Sequence, residues 1–96
     1  MEINMKIYFE KTNSTNQVIF TDGETAKIYD AAPSGIYEEI DLYEEDAEEQ
    51  LRKHFSELHE AGEMNGYNDM YSENEVDFDD IAAELEENEA TLIFEN

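Results

Sequence analysis

Apolar residues in this chain never run longer than three in a row, and they sit in a background of carboxylates with almost no counter-charge. Residues 36–96 hold twenty-two acids against Arg52 and Lys53, whereas residues 1–35 hold five acids and three lysines. The whole chain carries 27 acids and five bases on 96 residues, a formal charge of −22. Any core must therefore come from short amphipathic elements that turn their apolar positions inward and their acids to solvent. Self-repulsion opposes compaction of such a chain, so the concentration of like charge has no stabilising purpose. The reason for it lies in a strongly basic partner surface.

High charge with few aromatics would point to disorder. Here 40% of residues are apolar, and six Tyr and five Phe supply large units of burial, so the expectation is one ordered domain spanning 1–96. With no cysteine, a disulfide framework and a thiolate metal site are excluded, and a reducing compartment such as the cytoplasm fits. Met1 to Lys6 has neither the basic start nor the apolar stretch of a secretory leader. No stretch is apolar for long enough to span a bilayer. An anionic chain is also repelled by anionic lipid and by nucleic acid, so direct binding to either is not expected.

Met5, Ile7 and Phe9 alternate with Lys6, Tyr8 and Glu10, the period of a half-buried strand. Gln17–Thr21 reads as a second strand and Thr25–Tyr29 as a third, joined by Asp22-Gly23, a strong hairpin signal. Pro33-Ser34-Gly35 ends this meander over residues 3–30. Residues 36–45 fit either a helical turn or a short strand at Ile40 and Leu42. A helix follows: Asp46 and Glu49 form a capping box, Ala47, Leu51, Phe55 and Leu58 trace one stripe, and Gly62 closes the end. Residues 63–75 show no period and read as a loop. Asp77 opens a second helix, with Val76 and Ile81 placed as a hydrophobic staple, Phe78, Ile81, Ala82 and Leu85 on one face, and Asn88 at the end. Thr91–Phe94 reads as a last strand. The fold expected is α+β, an antiparallel sheet in β-β-β-α-α-β order with both helices on one face.

Which acids are available to a partner depends on which have cations nearby. On the first helix Glu48 and Arg52, Glu49 and Lys53, and Lys53 and Glu57 stand four apart and can pair, each pair worth roughly 0.2–0.5 kcal/mol. The runs 38–46, 73–80 and 84–89 contain no cation. The candidate contact residues are Glu38, Glu39, Asp41, Glu44, Glu45 and Asp46 in the first run, and Glu73, Glu75, Asp77, Asp79 and Asp80 in the second. Tyr67, Asp69 and Tyr71 join them from a polar loop, since Tyr buries area while keeping a polar handle. The competing role for those tyrosines is to fold back over the core.

Other chemistries find little support. Glu73, Glu75, Asp77, Asp79 and Glu84 match calcium-loop spacing, but Phe78 stands where that loop needs glycine. His54 and His59, five apart, do not converge on a helix. No phosphate-cradling glycine loop and no nucleophile elbow occurs. Neither catalytic residues, nor a metal, nor a cofactor is expected.

The small size, a pI near 4.1, the α+β pattern and stretches such as Glu38-Glu39-Ile40-Asp41-Leu42-Tyr43-Glu44-Glu45-Asp46 give the chain its general character. In this it resembles small phage- and plasmid-encoded nucleic-acid mimics, the anti-CRISPR and anti-restriction proteins. That resemblance implies a non-enzymatic inhibitor that evades host defence in the host cytoplasm. Its partner would be a basic protein, a nuclease or a CRISPR effector, whose DNA-binding groove it fills. An acidic immunity protein or antitoxin that plugs a basic nuclease toxin uses the same electrostatics, and an acidic adaptor domain is a third class.

Overall fold

The computed structural model describes residues 5–11, 16–30, 35–63 and 74–95. The architecture is α+β. Strands β1 (Lys6–Lys11), β2 (Asn16–Thr21) and β3 (Thr25–Asp30) are followed by the two-residue strands β4 (Ile36–Tyr37) and β5 (Ile40–Asp41). Helix α1 (Ala47–Glu60), strand β6 (Asn74–Asp77), helix α2 (Phe78–Glu87) and strand β7 (Thr91–Glu95) complete the order. The main sheet is antiparallel with strand order β6-β3-β2-β1-β7, and β4 and β5 pair separately.

The meander forms as its sequence dictates. At the β2–β3 turn Gly23 adopts φ +95°. The Asp22 carboxylate accepts the backbone N–H groups of Glu24 and Thr25 at 2.8 and 2.9 Å. These bonds hold the Asp22 carboxyl below its ordinary range.

The helices lie on opposite faces of the sheet. Ile7, Phe9, Val18 and Phe20 pack with Leu51 and Phe55 of α1, and Tyr29 joins that side. Ile19 and Ala26 pack with Ile81 and Leu85 of α2, together with Tyr8 and Ile28. Successive strand residues point to opposite faces, so the expected single covered face is corrected to two. The cause is visible in β2, where Val18, Ile19 and Phe20 are all buried, the continuous apolar run of a strand covered on both sides. Tyr8 packs on the α2 side of the sheet and Tyr29 on the α1 side.

Three further differences concern the elements. Strand β6 starts within the expected loop and runs through Val76 to Asp77 at the head of α2; its single apolar residue, Val76, gives no alternation to read. Residues 36–41 form a small hairpin, placing two more strands before α1. The capping box does not close: Asp46 makes no side-chain cap bond, and its carboxylate accepts Gln50 Nε2 at 2.8 Å instead. Elsewhere the expected punctuation holds. Val76 and Ile81 share the α2-side core, Asn88 is the C-cap of α2, and Gly62 follows α1 with φ +72°.

Candidate functional site

The first acidic run rides on the β4–β5 hairpin and its lead into α1. Tyr37, Ile40, Leu42 and Ala47 are buried, while Glu38, Glu39, Glu44, Glu45 and Asp46 between them are exposed. Tyr37 packs edge-on to Tyr29 with ring centroids 4.9 Å apart, and it also lies against Phe20 and Phe55. The Tyr29 hydroxyl donates to the Ile36 carbonyl at 3.1 Å, and Leu42 N–H donates to Gly35 O at 2.7 Å. The carboxylates of this run thus stand on a segment anchored from below. Asp41 is half-buried and accepts Tyr43 N–H at 2.9 Å, so part of its capacity is structural.

His54 stacks edge-on against Tyr37 at 6.1 Å. Burial lowers its pKa, opposed by the negative charges of Glu38 and Glu57.

The second run divides. Glu75 pairs with Lys27 across β3 and β6 at 3.9 Å, which answers one charge expected to be uncompensated. Asp77, Asp79 and Asp80 are exposed, the last two in the first turn of α2, where the helix dipole favours them. Tyr67, Asp69, Tyr71 and Glu73 lie outside the described residues. Because Glu75 and Asp77 sit in β6 while Asp79 and Glu84 sit in α2, the calcium-like spacing forms no loop.

The third run, which supplies none of the contact residues expected from the sequence, is exposed at each of its acids. Glu84, Glu86, Glu87 and Glu89 all face solvent. With Asp77, Asp79 and Asp80 they make seven carboxylates in thirteen residues with no cation. Helix α2 spans about 15 Å and crosses the sheet from the β6 edge to the β7 edge, four strand spacings or about 19 Å. Its acids cover the solvent side of this helical ridge, from Asp79 and Glu86 on one flank to Glu84 on the other. The cue was present in the sequence, four acids in six residues, but only the fold aligns it with Asp77–Asp80.

At the β7 edge the first and third runs meet. Glu44, Glu45, Glu48 and Glu89 stand around a cleft of about 250 Å³ floored by Phe9 and Ala47, with Lys11 also in its wall. On α1, by contrast, Glu48 pairs with Arg52 at 3.5 Å, the ordinary structural use expected of that helix. Lys6 pairs with Glu95 at 3.4 Å. Most of the few cations are thereby engaged close to home.

Two of the carboxylates stand where the backbone disfavours them. Among the described residues, the non-glycine positions with positive φ are Glu38, at +57°, and Glu89, at +53°. Glu38 is the first central residue of a two-residue hairpin, a position that glycine or asparagine fills more cheaply. Glu89 is the C′ residue of α2. Its N–H donates to Glu86 O at 3.2 Å, and Ala90 N–H donates to Leu85 O at 2.9 Å, the paired bonds of a Schellman motif. Helix α1 ends in the same motif, with Gly62 N–H to His59 O at 3.0 Å and Glu63 N–H to Leu58 O at 2.9 Å. There the left-handed residue is glycine.

Beneath the end of α2 lies one further acid. Glu10 is 1% exposed; its Oε1 accepts Asn88 Nδ2 at 3.2 Å and its Oε2 has no partner among the described residues. Burial, reinforced by Glu84, pushes its pKa above the ordinary carboxylate value, against a smaller downward pull from Asn88. Among the described residues no group of three or more His, Asp or Glu converges as a metal site. No helix there is long and apolar enough to cross a membrane. Comparison with family models, with curated proteins and with solved structures finds no match.

Proposed function

We propose that this protein is a nucleic-acid mimic, a non-enzymatic inhibitor that occupies the basic groove of a nucleic-acid-processing enzyme. The observation that carries this reading is the placement of carboxylates against stability. Glu38 and Glu89 hold left-handed backbone where glycine would be less strained. Glu84, Glu86 and Glu87 crowd the C-terminal half of α2, whose last turn has no base, against the helix dipole. Asp80 and Glu84, four apart, repel one another along the same ridge. These choices cost from roughly 0.2 kcal/mol for the like-charge pair to about 1 kcal/mol or more for the left-handed residues. A chain selected for solubility alone could place its acids at cheaper positions.

Duplex DNA presents one negative charge per about 1.7 Å of axis. Over the roughly 19 Å crossed by helix α2 and its flanks a duplex presents about eleven charges and this protein presents seven. Such a ridge competes with phosphates for lysine- and arginine-lined grooves and speeds encounter through long-range attraction. The target class that fits is an RNA-guided nuclease of the CRISPR type, whose duplex-reading site uses arginines, and the place of action is the cytoplasm of the cell that holds it.

The test is capture of partners on the immobilised protein from lysates of cells carrying such nucleases, followed by elution with duplex DNA at constant ionic strength. DNA-binding enzymes released by the duplex support the proposal. Release of a small basic nuclease toxin would move the reading to an immunity protein. Partners that leave only with high salt, and never with duplex, refute mimicry.

A further inference from the structure

We propose that Tyr43 anchors an arginine side chain of the basic partner; this rests on the inhibitor reading and adds to it a residue and a cation type. The large hydrophobic residues left exposed among those described are Ile36 (38%), Tyr43 (55%) and Leu92 (39%). Two of these three fall within the acidic hairpin segment, where solubility alone would place more polar residues. Tyr43 is also fixed rather than loosely attached. Its N–H donates to Asp41 Oδ1 at 2.9 Å, and its carbonyl accepts Lys11 Nζ at 3.3 Å. Its ring edge lies directly against Gly35, the residue before Ile36, in space that a Cβ there would fill. Gly35 has φ +74°, so both its backbone and its missing side chain serve this contact.

An exposed aromatic ring held in place within the acidic segment that carries Asp41, Glu44 and Glu45 fits a guanidinium better than an ammonium. Arginine stacks flat on an aromatic face while its fork of N–H groups reaches carboxylates in pairs; lysine offers a compact, strongly hydrated point charge. Charge complementarity selects a cationic occupant, and the −22 charge opposes a second copy of this chain. The two surfaces divide the work: the α2 ridge steers the partner in, and Tyr43 slows its departure.

The experiment titrates the full chain, at physiological salt, with octa-arginine and with octa-lysine peptides by calorimetry, following Tyr43 ring signals by NMR. Wild type binds octa-arginine more tightly than octa-lysine. Tyr43→Leu weakens octa-arginine binding about three- to fivefold and leaves octa-lysine binding within about twofold, while Tyr43→Phe, which keeps the ring, behaves as wild type. Tyr43 signals shift with octa-arginine. An arginine preference that survives Tyr43→Leu unchanged overturns the proposal. So does dimerisation of the peptide-free protein that Tyr43→Leu abolishes, because the patch then belongs to a second copy. Neither result touches displacement by duplex DNA, so failure of the anchor and failure of mimicry are told apart.

Discussion

Glu10 is buried at a cost to stability, since one oxygen has no partner among the described residues and Glu84 adds like charge. Its folded-state pKa is raised, so its stabilising contribution is complete below about pH 4.5 and is lost as pH rises through the folded value. Glu10→Gln should therefore raise the melting temperature at pH 7, by about 1 kcal/mol of stability, with the gain vanishing near pH 4. Chemical denaturation of both proteins at the two pH values checks this, and a gain that persists at pH 4 refutes the titration account. His54 runs the other way: its lowered pKa gives stability that is present above pH 6.5 and lost as pH falls through the folded value. The sequence offered no warning of Glu10, which alternates with Phe9 and Lys11 like any solvent-side acid. Its burial follows from the second covered face, a property of the assembled sheet.

At the scale of elements, the two helix ends make an internal comparison. Both close with Schellman bonds, but α1 uses Gly62 and α2 uses Glu89. Glu89→Gly and Glu38→Gly should each stabilise the protein by about 1 kcal/mol, and the double variant should bind its captured target more weakly, chiefly through slower association. Thermal melts and surface-binding kinetics on the pair test this, and a variant that gains stability with no loss of binding removes the functional reason for these acids. Periodicity was enough to read the meander, α1, α2 and β7, because each carries several apolar residues on one face. It was not enough for β6, which has one such residue, or for the β4–β5 hairpin, whose turn is two glutamates in place of the usual glycine signal. Acidic clusters were legible as runs. Their division among an anchored hairpin, a sheet edge and a helix ridge was not, because charge has no period that says which face an element presents.

For the whole molecule the main force opposing the fold, beyond chain entropy, is self-repulsion among carboxylates spread over both faces of the sheet. Added salt screens it, with a Debye length of about 8 Å at physiological strength. The melting temperature should accordingly rise between low and moderate NaCl, and a fall would contradict an under-compensated acidic surface. The same charge sets the central claim, that protein and nucleic acid compete for one groove. The direct measurement immobilises this protein, saturates it with its captured enzyme, and then adds the enzyme's duplex substrate. Mimicry predicts that the duplex strips the enzyme from the surface and that no ternary complex forms. Stable addition of duplex to the immobilised complex, without loss of enzyme, would contradict it.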